Sequence, residues 1–388
     1  MSDRAARLLL PIIYLGFISL GLPDGTLGVA WPRMHQSLDL PIGWAGPVMA
    51  VITLLSGISS FSSGAIIARF KTGPVVLASC LMTGSALMLV AHAQSLAWLA
   101  LAAAPLGFGA GAVDAGLNGY VARHYSGRHM NWLHACWGIG ATCGPFILAR
   151  SLDLAPGWRG GYFVIASIQL TLALVFLVTL RMWDAVPLRP FGHATPSGGP
   201  APTHGANSEA GWISAALFAI YVAVEMTIGL WAGSILAVGR GIPVVQAGLC
   251  ATGYYASITA GRILVGFVVD RWGNRRLVAA GVVLSLAGAV AFALADHVGL
   301  AAAALVLIGL GFAPVYPGLM HEVPRRFVPS AVQTVIGRQS GAAYLGAMTL
   351  PALGGWIAQR ASLEAIVWVV AAGIVAMLVG VRRLDRIS

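Results

Sequence analysis

Charge is scarce in this chain. Only 9% of its 388 residues are charged and 58% are hydrophobic, with a mean hydropathy of +0.83. A soluble globule of this size needs a polar-rich shell, so the scarcity excludes one, and the solvent must be lipid. Lysine is nearly missing as well: Lys71 is the only one among 23 Lys+Arg. The formal net charge of +10 falls in short loops between apolar runs. Such placement serves membrane topology and argues against nucleic acid as a partner. The four cysteines, Cys80, Cys136, Cys143 and Cys250, all lie in apolar segments, so no disulfide framework is implied. The nine histidines show no metal-ligand spacing with one another or with cysteine. No glycine loop ending in lysine is present to cradle a nucleotide phosphate. No enzyme chemistry, cofactor or metal is therefore expected.

What is abundant is apolar sequence in long runs. A helix needs about 20 such residues to cross a bilayer. Runs of that kind place twelve spans near 8–30, 44–68, 74–93, 96–122, 131–150, 160–182, 211–238, 245–269, 276–295, 298–321, 331–357 and 362–381. The expected fold is an all-α membrane protein of two six-helix bundles, residues 1–182 and 211–388. Between them, 183–210 is rich in Pro, Gly, Ser, Ala and His and reads as a flexible cytoplasmic linker. With both termini in the cytoplasm, sixteen basic residues fall inside and five outside, while Arg262 and Arg338 lie in spans. That bias sets the expected orientation. Abundant Arg and Ala with almost no Lys suggest a bacterial cytoplasmic (inner) membrane.

The halves repeat. Gly64 and Arg69 recur as Gly266 and Arg271, and Gly107, Gly109, Gly116 and Leu117 as Gly309, Gly311, Gly318 and Leu319, both at an offset of 202. Asp24, Thr26 and Gly28 match Glu225, Thr227 and Gly229 at 201, and Gly140 and Pro145 match Gly346 and Pro351 at 206. A duplicated six-helix unit with a midplane site is a carrier plan.

The segment Gly266-Phe-Val-Val-Asp270-Arg271-Trp-Gly273-Asn-Arg275-Arg276 resembles the loop signature of the major facilitator superfamily. Its counterpart, Gly64-Ala-Ile-Ile-Ala68-Arg69-Phe-Lys71-Thr-Gly73, lacks the acid and carries Lys71 where glycine is usual. The resemblance implies that Arg69, Asp270 and Arg271 take part in gating. Within the superfamily the chain resembles the fucose permease-like sugar:proton symporters. That likeness rests on Gly111-Ala-Val-Asp114-Ala-Gly-Leu-Asn118, Asn131-Trp-Leu-His134-Ala-Cys-Trp-Gly138-Ile-Gly140, Tyr221 to Trp231, and Gly309-Leu-Gly311-Phe-Ala-Pro314-Val-Tyr316-Pro317. It implies that Asp24 and Asp114 serve proton coupling and sugar binding. The second acid is commonly Glu in that group, so Asp114 is one methylene short.

The residues carry their own argument. An acid in hydrocarbon is costly unless paired, hydrated or protonated, and it usually marks an ion or substrate path. Asp24 follows Pro23, which removes a backbone donor, and it lies roughly 24 Å up its helix. Asp114 lies roughly 12 Å in, with Asn118 one turn away on the same face. The difference in depth makes them separate stations. An acid and an amide at that spacing can grip hydroxyls, and that reading is favoured over a bond that merely glues two helices. Glu225 is the repeat partner of Asp24, with Arg262, then Arg338, as mates. Proton coupling is thus assigned to Asp24, Asp114 and Glu225. Solute binding is assigned to Asp114, Asn118, Glu225, Trp231, Tyr316, Asn131, His134 and Gln339. Tyr316, between Pro314 and Pro317, is favoured for stacking on a ring because its helix should be broken there. Trp137, Tyr254, Tyr255 and Tyr344 are weaker aromatic candidates. His134 is more simply an interhelical histidine than a proton relay.

The expected function is transport of a small polar solute, sugar-like, in symport with protons, by a monomer in the lipid bilayer. The alternative is a proton-antiport exporter of drugs or metabolites, which would show an apolar cavity with few amides. A membrane sensor or scaffold is disfavoured, because the 183–210 segment is too short to fold alone.

Overall fold

A computed structural model describes residues 2–125, 127–184 and 204–388, without the side chains of a few of them, Asn131 and Asp270 included. Fourteen α-helices are found among these residues, and no strand. The first compact unit, Met1–His193, holds α1 (Ser2–Gly21), α2 (Thr26–Ser37), α3 (Ala45–Phe70), α4 (Thr72–Ala91), α5 (Leu96–His124), α6 (Gly127–Ser151) and α7 (Trp158–Trp183). The second, Ala194–Ser388, holds α8 (Glu209–Ser234), α9 (Val244–Trp272), α10 (Asn274–Ala293), α11 (Val298–Phe312), α12 (Val315–Arg326), α13 (Pro329–Arg360) and α14 (Leu363–Ile387). Most of the 183–210 segment lies outside the described residues. At its ends, Trp183 closes α7 as a buried residue and Glu209 opens α8, capped by Ser208.

Fourteen helices make twelve spans because two spans are broken. α1 and α2 together form the first, and α11 and α12 the tenth. Among the described residues nine spans are long and apolar enough to cross a membrane. The other three, α6, α9 and α13, have 25, 29 and 32 residues and more polar side chains.

Each break has a local cause. Pro23 disfavours a helical Leu22 and has no N–H to give. Gly25 then takes φ 72°, a left-handed turn that only glycine adopts without strain. The Thr26 hydroxyl and amide both return to the Pro23 carbonyl, at 2.6 and 3.2 Å, and restart the helix. In the tenth span α11 ends at Phe312 and α12 opens after Pro314.

The two units repeat one packing pattern. In the first, α1 packs on α6 and α7, α3 on α5, and α4 on α5 and α7. In the second, α8 packs on α13 and α14, α9 on α11, and α10 on α11 and α14. Span for span these are the same pairs. Glycine makes the closest of them. A Cβ on Gly111 would overlap the Ser56 carbonyl oxygen of α3, so the Gly107-Phe-Gly109-Ala-Gly111 run is a packing surface. Likewise a Cβ on Gly140 would overlap the Ile18 oxygen of α1, and one on Gly346 the Ala219 oxygen of α8.

Candidate functional site

In the first unit, the glycines of α6 bring its backbone against α1 just before the break. Gly140 meets Ile18, Gly144 meets Leu22, and Gly21 meets the Trp137 carbonyl. One turn from Gly140, the Trp137 indole N–H therefore reaches Asp24 Oδ2 at 2.8 Å. Asp24 is half-buried in the turn between α1 and α2. Sequence reasoning listed Trp137 among weak stacking candidates; its role here is a hydrogen bond to the carboxylate.

Beyond Asp24 lies a cavity of about 90 Å³ within this unit. Its walls are mostly apolar, including Leu27, Ile52, Leu87, Ala103 and Phe176. Its polar lining is Ser19, Asp24, Thr26, Cys80, Thr83, Tyr162 and Gln169. Gln169 was missed by the sequence reading, although an amide inside the apolar run of α7 was a visible signal. It accepts from the Ser19 hydroxyl at 2.8 Å and donates to the Ser19 carbonyl at 2.6 Å. The Cys80 thiol donates toward it at 3.6 Å.

Asp114 is on α5 and does not line that cavity. The Asn118 amide donates to Asp114 Oδ1 at 2.9 Å and to its carbonyl at 3.0 Å. The expected pairing one turn apart is present. Along an ideal helix the two acids were placed as separate stations, and they occupy separate surroundings in the folded unit.

In the second unit Glu225 is 4% exposed on α8, and Arg262 of α9 approaches it at 3.7 Å. Arg262 is the mate expected first. At that distance attraction is worth about 4 kcal/mol at an effective dielectric near 20. Desolvating two ions costs several kcal/mol each, so further hydrogen bonds must share the load. Tyr221 supplies them, its hydroxyl interacting with both charges. The Tyr254 hydroxyl donates to the main-chain carbonyl of Glu225 at 3.0 Å and ties α9 to α8 there. Tyr316, opening α12, packs edge-on to Phe218 at 4.9 Å and against Tyr221 at 6.1 Å. The broken helix thus places Tyr316 beside the ion-pair cluster.

Other assignments are corrected. Trp231 is wholly enclosed and its indole donates to the Pro351 carbonyl at 3.0 Å, so no ring face is open to a solute. Gln339 is also fully buried and donates to Ser214 Oγ at 2.7 Å, tying α13 to α8. Arg338 serves the start of the unit instead of Glu225: it bonds the Ala206 carbonyl at 2.6 Å and Asn207 Oδ1 at 2.7 Å, and lies over Trp212. His134 is exposed and edge-on to Phe17 at 5.8 Å. The Asn131 side chain lies outside the described residues.

Of the loop residues, Arg69 and Arg271 are exposed, and the Asp270 side chain lies outside the described residues. A buried acid that the sequence reading did not single out is Glu322, which accepts from Arg275 and Arg325, each at 3.1 Å. Its only linear signal was the Arg325-Arg326 pair one turn on. Among the described residues no cluster of three metal-binding side chains occurs.

Two six-helix units of one packing pattern, with acids at span interiors and broken spans, define a membrane transporter. The chain belongs to the Major Facilitator Superfamily, whose sequence profile matches residues 13–217 and again 213–386. It is a transporter, not an enzyme. A curated relative, an uncharacterised MFS-type transporter of Yersinia pestis, is 25% identical over 364 residues, covering 90% of this chain and 88% of that one. Among solved structures, a bacterial homolog of the human lysosomal transporter Spinster, inward-facing and occupied, matches with a TM-score of 0.78 at 12% identity. It covers 100% of this chain and 98% of its own. A mutant of the nucleoside transporter NupG matches at 0.75 and 13% identity, covering 96% and 98%. At these identities the two structures are shared fold.

Proposed function

We propose that the protein moves a small polar solute of the sugar class in symport with protons, as the fucose permease-like resemblance implies. The observation that carries this reading is Asp24, a carboxylate inside a span, at a helix break and held by the Trp137 indole. Taking up a proton there removes a charge from the hydrocarbon region, which favours the movement of a loaded carrier. Asp114 and Asn118 offer an acceptor-rich pair for solute hydroxyls. Glu225, Arg262, Tyr221 and Tyr316 offer the second unit's polar contacts. Broken spans at midplane commonly supply binding groups in carriers. Both termini are proposed to be cytoplasmic, from the loop Arg bias.

The test is external pH in a lightly buffered, de-energised suspension of expressing cells, with hexoses, deoxyhexoses and other polar metabolites added singly. Alkalinisation by one compound, lost in Asp114→Asn, is the expected result. With that compound, Asp24→Asn should lose proton-driven accumulation and keep counterflow. Full accumulation in Asp24→Asn would remove Asp24 from the coupling role.

The apolar walls of the 90 Å³ cavity, with Gln169 as its one amide, favour a second reading, proton-antiport export of apolar compounds. Silence across the polar panel, with proton-driven efflux of apolar dyes, would select it.

A further inference from the structure

The cavity beside Asp24 has an address. It is lined by Val48 and Met49 at the start of α3, Leu87 and Val90 at the end of α4, Leu99 and Ala103 at the start of α5, and Tyr162 at the start of α7. All of these lie at one end of the first unit, the end that α1 runs toward. From there the cavity reaches inward to Ser19, Cys80, Gln169 and Phe176. Neither Asp114 nor Asn118 lines it.

We propose that this cavity is a hydrated antechamber that carries protons to and from Asp24 inside the first six-helix unit, apart from the path of the solute. The inference rests on the reading of Asp24 as the proton-coupling acid. About 90 Å³ is well above the roughly 10–15 Å³ that one water needs, so the cavity has room for a short file of waters. A buried water needs two to four polar partners. The Asp24 carboxylate and the Thr26, Thr83, Ser19 and Tyr162 hydroxyls supply them along otherwise apolar walls. Thr26 and Thr83 each donate to a backbone carbonyl, of Pro23 and Cys80, which leaves their oxygen lone pairs for a water to bond. An apolar wall confines the waters to these stations. A hydronium at the outer end passes its proton along the file to an Asp24 oxygen, and water remains.

Among the described residues that line the cavity, Asp24 is the one carboxylate and no Arg, Lys or His is present. The titratable groups on the cavity are Asp24 from the turn, Cys80 from α4 and Tyr162 from α7; α2, α3 and α5 contribute none to its lining. From α6 the Trp137 indole faces Asp24, and His134 packs against Phe17.

Cys80 is a built-in reporter at the inner end, only 2% exposed. In a Cys136→Ser, Cys143→Ser, Cys250→Ser background, silver ion is added to sealed vesicles as a small aqueous probe. Protection of Cys80 is then read by thiol labelling after denaturation. The expected result is rapid protection from the vesicle face at the α3, α5 and α7 starts, slowed at least tenfold by Ala103→Phe, which fills the cavity. Ala110→Leu serves as a second filler should Ala103→Phe misfold. The filled variant should also lose proton-driven accumulation of the sugar that gives the pH response, while its counterflow persists. Cys80 shielded in the unfilled protein would mean a dry cavity and would overturn the proposal. Slowed silver access with accumulation intact would also overturn it, and would leave the coupling role of Asp24 standing if Asp24→Asn still abolishes accumulation. Intact accumulation in Asp24→Asn would bring down both.

Discussion

The two halves of this protein share a packing pattern but break different helices. The first unit breaks its first span, at Leu22–Gly25, and keeps its fourth span, α5, whole through Asp114. The second keeps its first span, α8, whole through Glu225 and breaks its fourth at Ala313–Pro314. The acids follow the same division. Asp24 sits at a break and is held by a neutral indole N–H, whereas Glu225 sits in an unbroken helix against a guanidinium. A duplicated scaffold has thus been specialised by where proline and glycine interrupt it. Neutralising Glu225 removes the carboxylate that faces the partly buried Arg262 guanidinium, whereas the Trp137 indole N–H that Asp24 accepts carries no charge to be left behind.

What the halves keep in common is broken first by steric insult. Gly140→Leu and Gly346→Leu should each destabilise by at least about 3 kcal/mol, since each side chain would have to displace a neighbouring backbone carbonyl. Neither variant should survive as a monodisperse species in detergent. Collapse of only one would mean that the α1–α6 and α8–α13 contacts are not equivalent.

The acids supply the next test. Glu225→Ala leaves Arg262 without its counter-ion and should cost about 3 kcal/mol in thermal melting, most of it recovered by adding Arg262→Leu. Asp24→Asn keeps an acceptor for the Trp137 indole and should cost less than about 1 kcal/mol. Equal losses at the two positions would erase the distinction drawn between them.

The loops differ more finely. Gly273 takes φ 77° and ψ 149°, and Lys71, at the matching position, takes φ 66° and ψ 165°. That region suits glycine alone and costs a side chain about 1–3 kcal/mol. Lys71 also pairs with Asp184 at 2.8 Å, both well exposed, a contact worth under about 1 kcal/mol. Lys71→Gly should therefore stabilise by about 1 kcal/mol net, and Gly273→Ala should destabilise by about the same or more. A loss of stability in Lys71→Gly would show that the Asp184 pair outweighs the strain.

The smallest effect is expected at Gly64 and Gly266, the repeated loop-motif glycines. An added Cβ at either meets nothing within 4 Å. Gly64→Ala and Gly266→Ala should each change melting by no more than about 0.5 kcal/mol. A larger loss at either would point to a contact made in another conformation of the carrier.

Much of this was readable from the linear chain. The spans, the duplicated unit, the break at Pro314, the Asp114–Asn118 pair and the Glu225–Arg262 pair were all expected, while at Pro23 only a lost backbone donor was read. Each follows from short-range facts: an apolar run, a missing N–H, a 3.6-residue turn, or the scarcity of cations inside spans. Trp231, Gln339 and Arg338 were misread for one reason. A polar or aromatic side chain in a span has the same linear signature whether it faces a solute or a neighbouring helix, and here Pro351, Ser214 and Asn207 claim them.

The sequence by itself determined that this chain lives in lipid, crosses it in two like sets of helices and carries costly acids there, because hydrophobicity and the penalty for charge act residue by residue. Only the tertiary structure decided that Trp137 holds Asp24, and that Asp24 lines the 90 Å³ cavity of the first unit while Asp114 does not line it. The Trp137–Asp24 contact depends on how closely glycines let α1 and α6 approach, a distance set jointly by residues more than a hundred positions apart.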